Sequence, residues 1–169
     1  SPSQQQAIMQ RTSDAYGPGA LCFPPSPQTQ VMQQREYTIF LIDRSGSMDD
    51  RHNGGDTKLN GAKRANINMM LHKSQLDAED EIGIVTFSDE GRLLRPLRPI
   101  RSAKTDIISA VQSIETDGGT AMGRGLDVTR DAFDWRSNGI VRRLVLLTDG
   151  HHNTGPSPLP IAIDLKERG

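Results

Sequence analysis

FLIDRSGSMDD, residues 40–50, closes an apolar run on an aspartate and follows it at once with two alternating serines. Taken from its start, the run reads YTIFLID, residues 37–43, with apolar side chains at nearly every position. A strand buried on both faces of a parallel sheet has that composition, because neither face meets water and no polar alternation is required. Asp43, Ser45 and Ser47 then set three oxygen-bearing side chains on one short turn, with Gly46 to let it fold tightly. Alternate residues of a turn can aim at one focus, and oxygen donors gathered this way ask for a ligand.

Beyond this turn the pattern alternates between helix and strand. Residues 56–74 carry Leu59, Ala62, Met69 and Met70 near helical spacing, with both methionines expected in the core. EIGIVTFSD (81–89) predicts a second strand and GRLLRPLRPI (91–100) a third, joined by a short turn at Asp89–Gly91. The two prolines mark that third strand as an edge, since proline donates no ladder hydrogen bond. Ile107, Val111 and Ile114 share one face of a helix over 103–115, and after TDGGT (116–120) another helix runs through Met122, Leu126 and Phe133. VRRLVLLTD (141–149) predicts a further buried strand, and SPLPIAIDLKER (157–168) a helix begun by proline.

The order strand, helix, hairpin, helix, helix, strand, helix defines an α/β layered sheet of Rossmann-like form. It is mostly parallel with one antiparallel edge strand, and has helices on both faces. Ligands bind such sheets at the carboxyl ends of the strands, near the point where strand order reverses. Asp43 and Asp149 each close a strand expected at the centre of the sheet, which joins two distant stretches of chain into one site.

Residues 1–35 differ from everything after them. They hold half of the chain's ten prolines and many glutamines, with hardly any charge, so they build no core of their own. They read as an arm or linker, with Tyr16, Leu21 and Phe23 as apolar anchors for docking; the domain proper spans 36–169. A length of 169 residues suits one domain with such an appendage. A formal charge of -1 and a pI near 6.4 give no bulk attraction to nucleic acid or to an anionic membrane. The longest apolar runs, TIFLI and LVLL, fall far short of the roughly 20 residues a spanning helix needs. SPSQQQAIMQ shows no basic-then-apolar leader. Cys22 is the single cysteine and no Asn-x-Ser/Thr acceptor occurs, which tilts the expected location modestly toward the cytoplasm.

Thr120 and Asp149 complete the oxygen donors that this topology can gather around Asp43, Ser45 and Ser47. Hydroxyls and carboxylates without cysteine form a hard-ligand set, suited to Mg²⁺, Mn²⁺ or Ca²⁺ rather than zinc or copper. Gly118 and Gly119 let the backbone before Thr120 approach closely, and Thr120 lies at a helix start where its hydroxyl can also cap.

DRSGSMD (43–49) resembles the Asp-x-Ser-x-Ser core of the von Willebrand factor A domain, whose metal-ion-dependent adhesion site is completed by a threonine and an aspartate on later loops. Thr120 in GGT and Asp149 in LLTDG stand in the same order. The resemblance covers about residues 36–169. It implies that Ser45, Ser47 and Thr120 ligate an ion directly, that Asp43 and Asp149 hold it largely through water, and that a partner protein supplies a Glu or Asp carboxylate. It also implies further strands and a closing helix, so the chain reads as C-terminally truncated. Residues 141–148 are then expected as an apolar edge, completed by a second segment, a swapped copy or a larger assembly.

Other readings compete with this one. Asp43 followed by Ser45 also suits an ordinary turn that caps a helix. A metal-assisted hydrolase would use His151 as base, and a scaffold would leave the site unused. His151 and His152 lack the spaced Cys, Asp or Glu of a zinc set and are expected as exposed loop residues. No Gly-x-Ser-x-Gly elbow and no Gly-x-x-x-x-Gly-Lys phosphate loop occurs. Arg92, Arg95, Arg98 and Arg101 read as charges that guard an edge strand against stray pairing.

Overall fold

Glu36–Asp43 forms the first strand, β1, and from Tyr37 onward every residue in it is buried. Tyr37, Ile39 and Leu41 face one apolar cluster while Phe40 and Ile42 face a second. The two-residue side-chain period is intact, but both faces of the strand are covered, which explains the unbroken apolar run. The computed structural model describes residues 34–51, 55–150 and 152–169. The Gln/Pro-rich arm up to Gln33, with Tyr16, Leu21, Cys22 and Phe23, lies outside the described residues, as does His151.

After a 3-10 turn at Gly46–Asp49 come α1 (Lys58–Leu76), β2 (Glu81–Phe87), β3 (Gly91–Pro99), α2 (Ile100–Gln112), α3 (Met122–Ala132), β4 (Val141–Leu147) and α4 (Pro158–Arg168). The predicted element order holds. Thr57 caps α1 by accepting the Asn60 N–H at 3.2 Å. Leu59, Ala62, Asn66 and Met70 form the buried stripe of α1. Met69, expected in the core, is instead 40 % exposed, because neighbours on a helix point about 100° apart and Met70 takes the inward place. The helix expected over 103–115 begins earlier, at Ile100, directly after β3. Its first amides find partners there: Ile100 N–H donates to the Asp80 carbonyl at 2.9 Å and Arg101 N–H to that of Ala78 at 3.0 Å.

Among the described residues the sheet order is β3-β2-β1-β4, with β1 parallel to both neighbours and β2–β3 an antiparallel hairpin. This is a mixed α/β sheet with two helices on each face. α1 and α2 pack on Phe40, Ile42, Ile82 and Ile84, while α3 and α4 pack on Ile39, Leu41, Val85 and Phe87. Gly125 brings α3 so near the sheet that a Cβ there would lie 2.9 Å from that of Phe87. β3 is the proline-bearing edge that its sequence predicts. β4 is the other edge among the described residues, as expected for residues 141–148 of a chain lacking further strands, and not the central, fully buried strand its apolar run suggests; Val141 and Leu146 are 36 % and 37 % exposed. Of the four arginines expected on the edge strand, Arg92, Arg95 and Arg98 lie on β3 while Arg101 falls in the first turn of α2. Arg95 forks onto Asp106 of α2 at 2.6 and 3.0 Å, and Arg101 pairs with Glu79 at 2.8 Å.

At the amino ends of the strands the charges close on one another. Glu36 accepts from Arg143 at 2.9 and 3.0 Å, from Lys73 at 2.6 Å and from the Thr38 hydroxyl at 2.7 Å. Lys73 also reaches Asp80 at 3.2 Å, and Asp80 accepts the Glu36 N–H at 2.9 Å. Burial opposes ionisation of Glu36, but the hydrogen bonds from Arg143, Lys73 and Thr38 outweigh it and hold the carboxyl down at about 2. None of the described helices is long and apolar enough to cross a membrane.

Candidate metal centre

The carboxyl ends of the same strands are arranged differently. β1 ends on Asp43, whose carboxylate is fully buried. Its Oδ1 accepts the Ser45 N–H at 2.8 Å and its Oδ2 accepts the Thr148 hydroxyl at 2.6 Å. Strand register explains the second contact: Ile42 pairs with Leu147, so the first residue past β4 arrives beside the last residue of β1. No cation pairs with Asp43 among the described ion pairs.

The loop after Asp43 is pinned from both sides. Met48, 2 % exposed, anchors the 3-10 turn in the core. Gly46 N–H donates to the Gly118 carbonyl at 3.0 Å, and Asp117 N–H to the Arg44 carbonyl at 2.7 Å, which binds the first loop to the glycine loop. The Ser45 and Ser47 hydroxyls lie 3.3 Å apart, and Ser47 Oγ donates to Asp149 Oδ1 at 3.1 Å. Thr120 is 3 % exposed and is held by its backbone, its N–H donating to Asn153 Oδ1 at 2.9 Å and its carbonyl accepting the Asn153 N–H at 3.2 Å. A Cβ built on Gly150 would lie 3.6 Å from Thr120 Oγ1 and 3.8 Å from Asp43 Oδ2, so hydroxyl and carboxylate border the same small space. All five residues singled out in the sequence therefore converge.

Several details differ from expectation. Thr120 does not cap α3: the cap position is Ala121, and no side-chain hydrogen bond is made there. Among the described residues no hydrogen bond engages the Thr120 hydroxyl. Asp149 stands two residues past the end of β4, not at its terminus. Gly118 and Gly119 wrap a neighbouring carboxylate: Gly119 N–H donates to Asp89 Oδ1 at 2.9 Å, and a Cβ on Gly118 would fall 2.3 Å from Asp89 Oδ2. His152 is half-buried rather than exposed, and its Nδ1 is buried without a partner among the described residues.

Sequence reasoning missed Lys58. Its ammonium lies 2.5 Å from Asp149 Oδ2 and 3.2 Å from Asp50 Oδ2, and hydrogen bonds to these two carboxylates push its pKa up. A lysine at the first position of a helix runs against the macrodipole, and that oddity was the available signal. Among the described residues no three His, Cys, Asp or Glu side chains converge as a metal cluster, so the candidate set consists of two carboxylates and three hydroxyls.

This layered sheet, with oxygen-bearing loops at one end, defines a von Willebrand factor type A domain. The chain belongs to that family, whose model matches residues 38–152. It is 32 % identical over 118 residues to the uncharacterized protein YfbK of Escherichia coli (strain K12), covering 69 % of this chain and 19 % of that protein. Thus the chain spans about a fifth of the length of that relative. Among solved structures it resembles a von Willebrand factor type A protein from Catenulispora acidiphila, with 26 % identity and a TM-score of 0.65 over 79 % of this chain and 30 % of that one. The PilB minor pilin from Streptococcus sanguinis shares the fold at 21 % identity, with a TM-score of 0.62 over 70 % of this chain and 30 % of the pilin.

Proposed function

We propose that this domain captures a protein partner through a divalent cation, Mg²⁺ with Mn²⁺ or Ca²⁺ as alternatives. Ser45, Ser47 and Thr120 would hold the ion, with Asp43 and Asp149 behind them. The observation that carries this reading is Asp43, a fully buried carboxylate with two hydrogen bonds and no paired cation among the described residues. A charge taken out of water without a counter-charge costs several kcal/mol, which a bound cation removes. The Thr120 hydroxyl, which no hydrogen bond engages among the described residues, borders the same space, and the all-oxygen set fits a hard ion.

When bound, the ion supplies positive charge at a surface of mostly neutral ligands. Ser45, Ser47 and Thr120 contribute no charge, and Lys58 shares the carboxylate of Asp149. The residues therefore leave the centre electropositive and receptive to an outside carboxylate, from a glutamate or aspartate of the partner. A minor pilin among the fold neighbours is in keeping with an interaction module. A hydrolase would need a base, and His151, the residue expected in that role, lies outside the described residues. The reading that the described donors support is a binding module.

Calorimetric titration of the chain with Mg²⁺ tests this directly. Binding is expected in the parent chain and lost in Ser45→Ala, and capture of proteins on the immobilised chain is expected to vanish when a chelator is added. Absence of both Mg²⁺ and Mn²⁺ binding at millimolar concentration would sink the proposal.

A further inference from the structure

We infer that Lys58 sets the metal affinity of this site, its ammonium serving as an internal counter-ion to Asp149 that a divalent cation must displace. The inference rests on the metal-binding reading above. Lys58 Nζ and Ser47 Oγ divide one carboxylate between them, at 2.5 Å from Oδ2 and 3.1 Å from Oδ1 of Asp149. The lysine is built into this place: it opens α1 immediately after the capping Thr57, and its own N–H donates to the Asp50 carbonyl at 3.0 Å.

A second carboxylate gives the ammonium somewhere to go. Asp50 Oδ2 lies 3.2 Å from Nζ, and its side chain is 66 % exposed. Lys58 also lines an open groove with Met48, Ala62, Leu147 and Asp149, which leaves its stem room to swing. Its charge has the sign of the incoming ion, so the two repel and compete for Asp149. Displacing Lys58 costs the ion part of what it gains from Asp149, and the displaced ammonium, held by Asp50, leaves positive charge beside the centre for an outside carboxylate. The domain would thus trade metal affinity for grip on its partner.

The test is Mg²⁺ and Mn²⁺ titration of the full chain, the Lys58→Met variant and the Lys58→Arg variant. Methionine keeps the apolar stem against the groove and removes only the charge. The expected result is Mg²⁺ binding about tenfold tighter in Lys58→Met, with the gain shrinking as salt rises. Lys58→Arg, which keeps the charge, should stay near the parent. A purely structural brace predicts the opposite sign, because loss of the brace would let Asp149 drift and weaken the site. Weaker or unchanged Mg²⁺ binding in Lys58→Met therefore overturns the inference while leaving the site intact. A parent chain that binds neither ion overturns both. Should Lys58→Met fail to fold, Lys58→Gln carries the same expectation, and the rise in melting temperature on adding Mg²⁺ should be larger than in the parent.

Discussion

At the amino end of β1, Glu36 meets Arg143 and Lys73, and Lys73 also meets Asp80, so two carboxylates face two cations. At the carboxyl end, seven residues along the same strand, Asp43 is buried with hydrogen bonds alone among the described residues, and the nearby ammonium of Lys58 is committed to Asp149 and Asp50. Both ends use the same kinds of side chain. The first is balanced within the chain and holds β1, α1 and β4 together. Among the described residues the second is short of positive charge, and apart from Asp43 at the strand end its donors are carried on loops. The difference separates charge that serves the fold from charge that waits for something outside it.

Removing the central cation of the balanced end should have the largest effect on stability. Lys73→Ala leaves Asp80 and part of Glu36 buried without their partner, and is expected to cost about 3 kcal/mol in denaturant unfolding. A loss under about 1 kcal/mol would mean that this end is not a closed cluster.

Acid should act next, and on the same end. The carboxyl of Glu36 is held down at about 2, below its ordinary value of 4.5. A depressed folded-state value gives stabilisation that is complete above the unfolded value and lost as pH falls through the folded one. Allowing for solvent screening, about 2 kcal/mol should disappear between pH 4.5 and 2. Glu36→Gln should flatten that part of the stability profile, and an unchanged profile would remove Glu36 as its source.

The unbalanced end is held by backbone rather than by charge, and Gly118→Ala probes that. Its φ of 64° is strained for alanine, and the new Cβ would meet Asp89. The substitution should cost about 1–2 kcal/mol. It should also weaken Mg²⁺ binding, because the Gly118 carbonyl positions Gly46. Full stability with unaltered ion binding would show that the glycine loop does not set the site.

Asp149→Asn should have the smallest effect on the metal-free fold. The Asp149–Lys58 pair is partly solvated, so its loss in the presence of chelator should cost under about 1 kcal/mol. Mg²⁺ affinity should nonetheless fall by about 10- to 100-fold. A large stability loss without an effect on the ion would make Asp149 a structural residue and erase the contrast between the two ends.

Much of this was legible in the chain. The strand at 37–43 was readable because exclusion of water from both faces leaves an almost continuous apolar record. The five donors were readable because glycine and short oxygen-bearing side chains cluster where strands give way to loops. Other features were not. Met69 and Met70 are equivalent to a periodicity argument, and only the rotation of α1 decides which one is buried. The glycines at 118 and 119 were expected to let the loop backbone approach closely, but not to show what it approaches: Gly46 of the first loop and Asp89, a residue about thirty positions away.

By itself the sequence determined the alternation of strands and helices, the edge character of β3 and the identity of the oxygen donors, since each follows from local propensity, proline chemistry or residue type. Tertiary structure alone decided that β4 lies beside β1 with Leu147 opposite Ile42, that Asp43 is buried without a paired cation among the described residues, and that Lys58 lies against Asp149. These depend on contacts between residues as many as 105 positions apart, and local pattern carries no record of which distant side chains a parallel register will bring together.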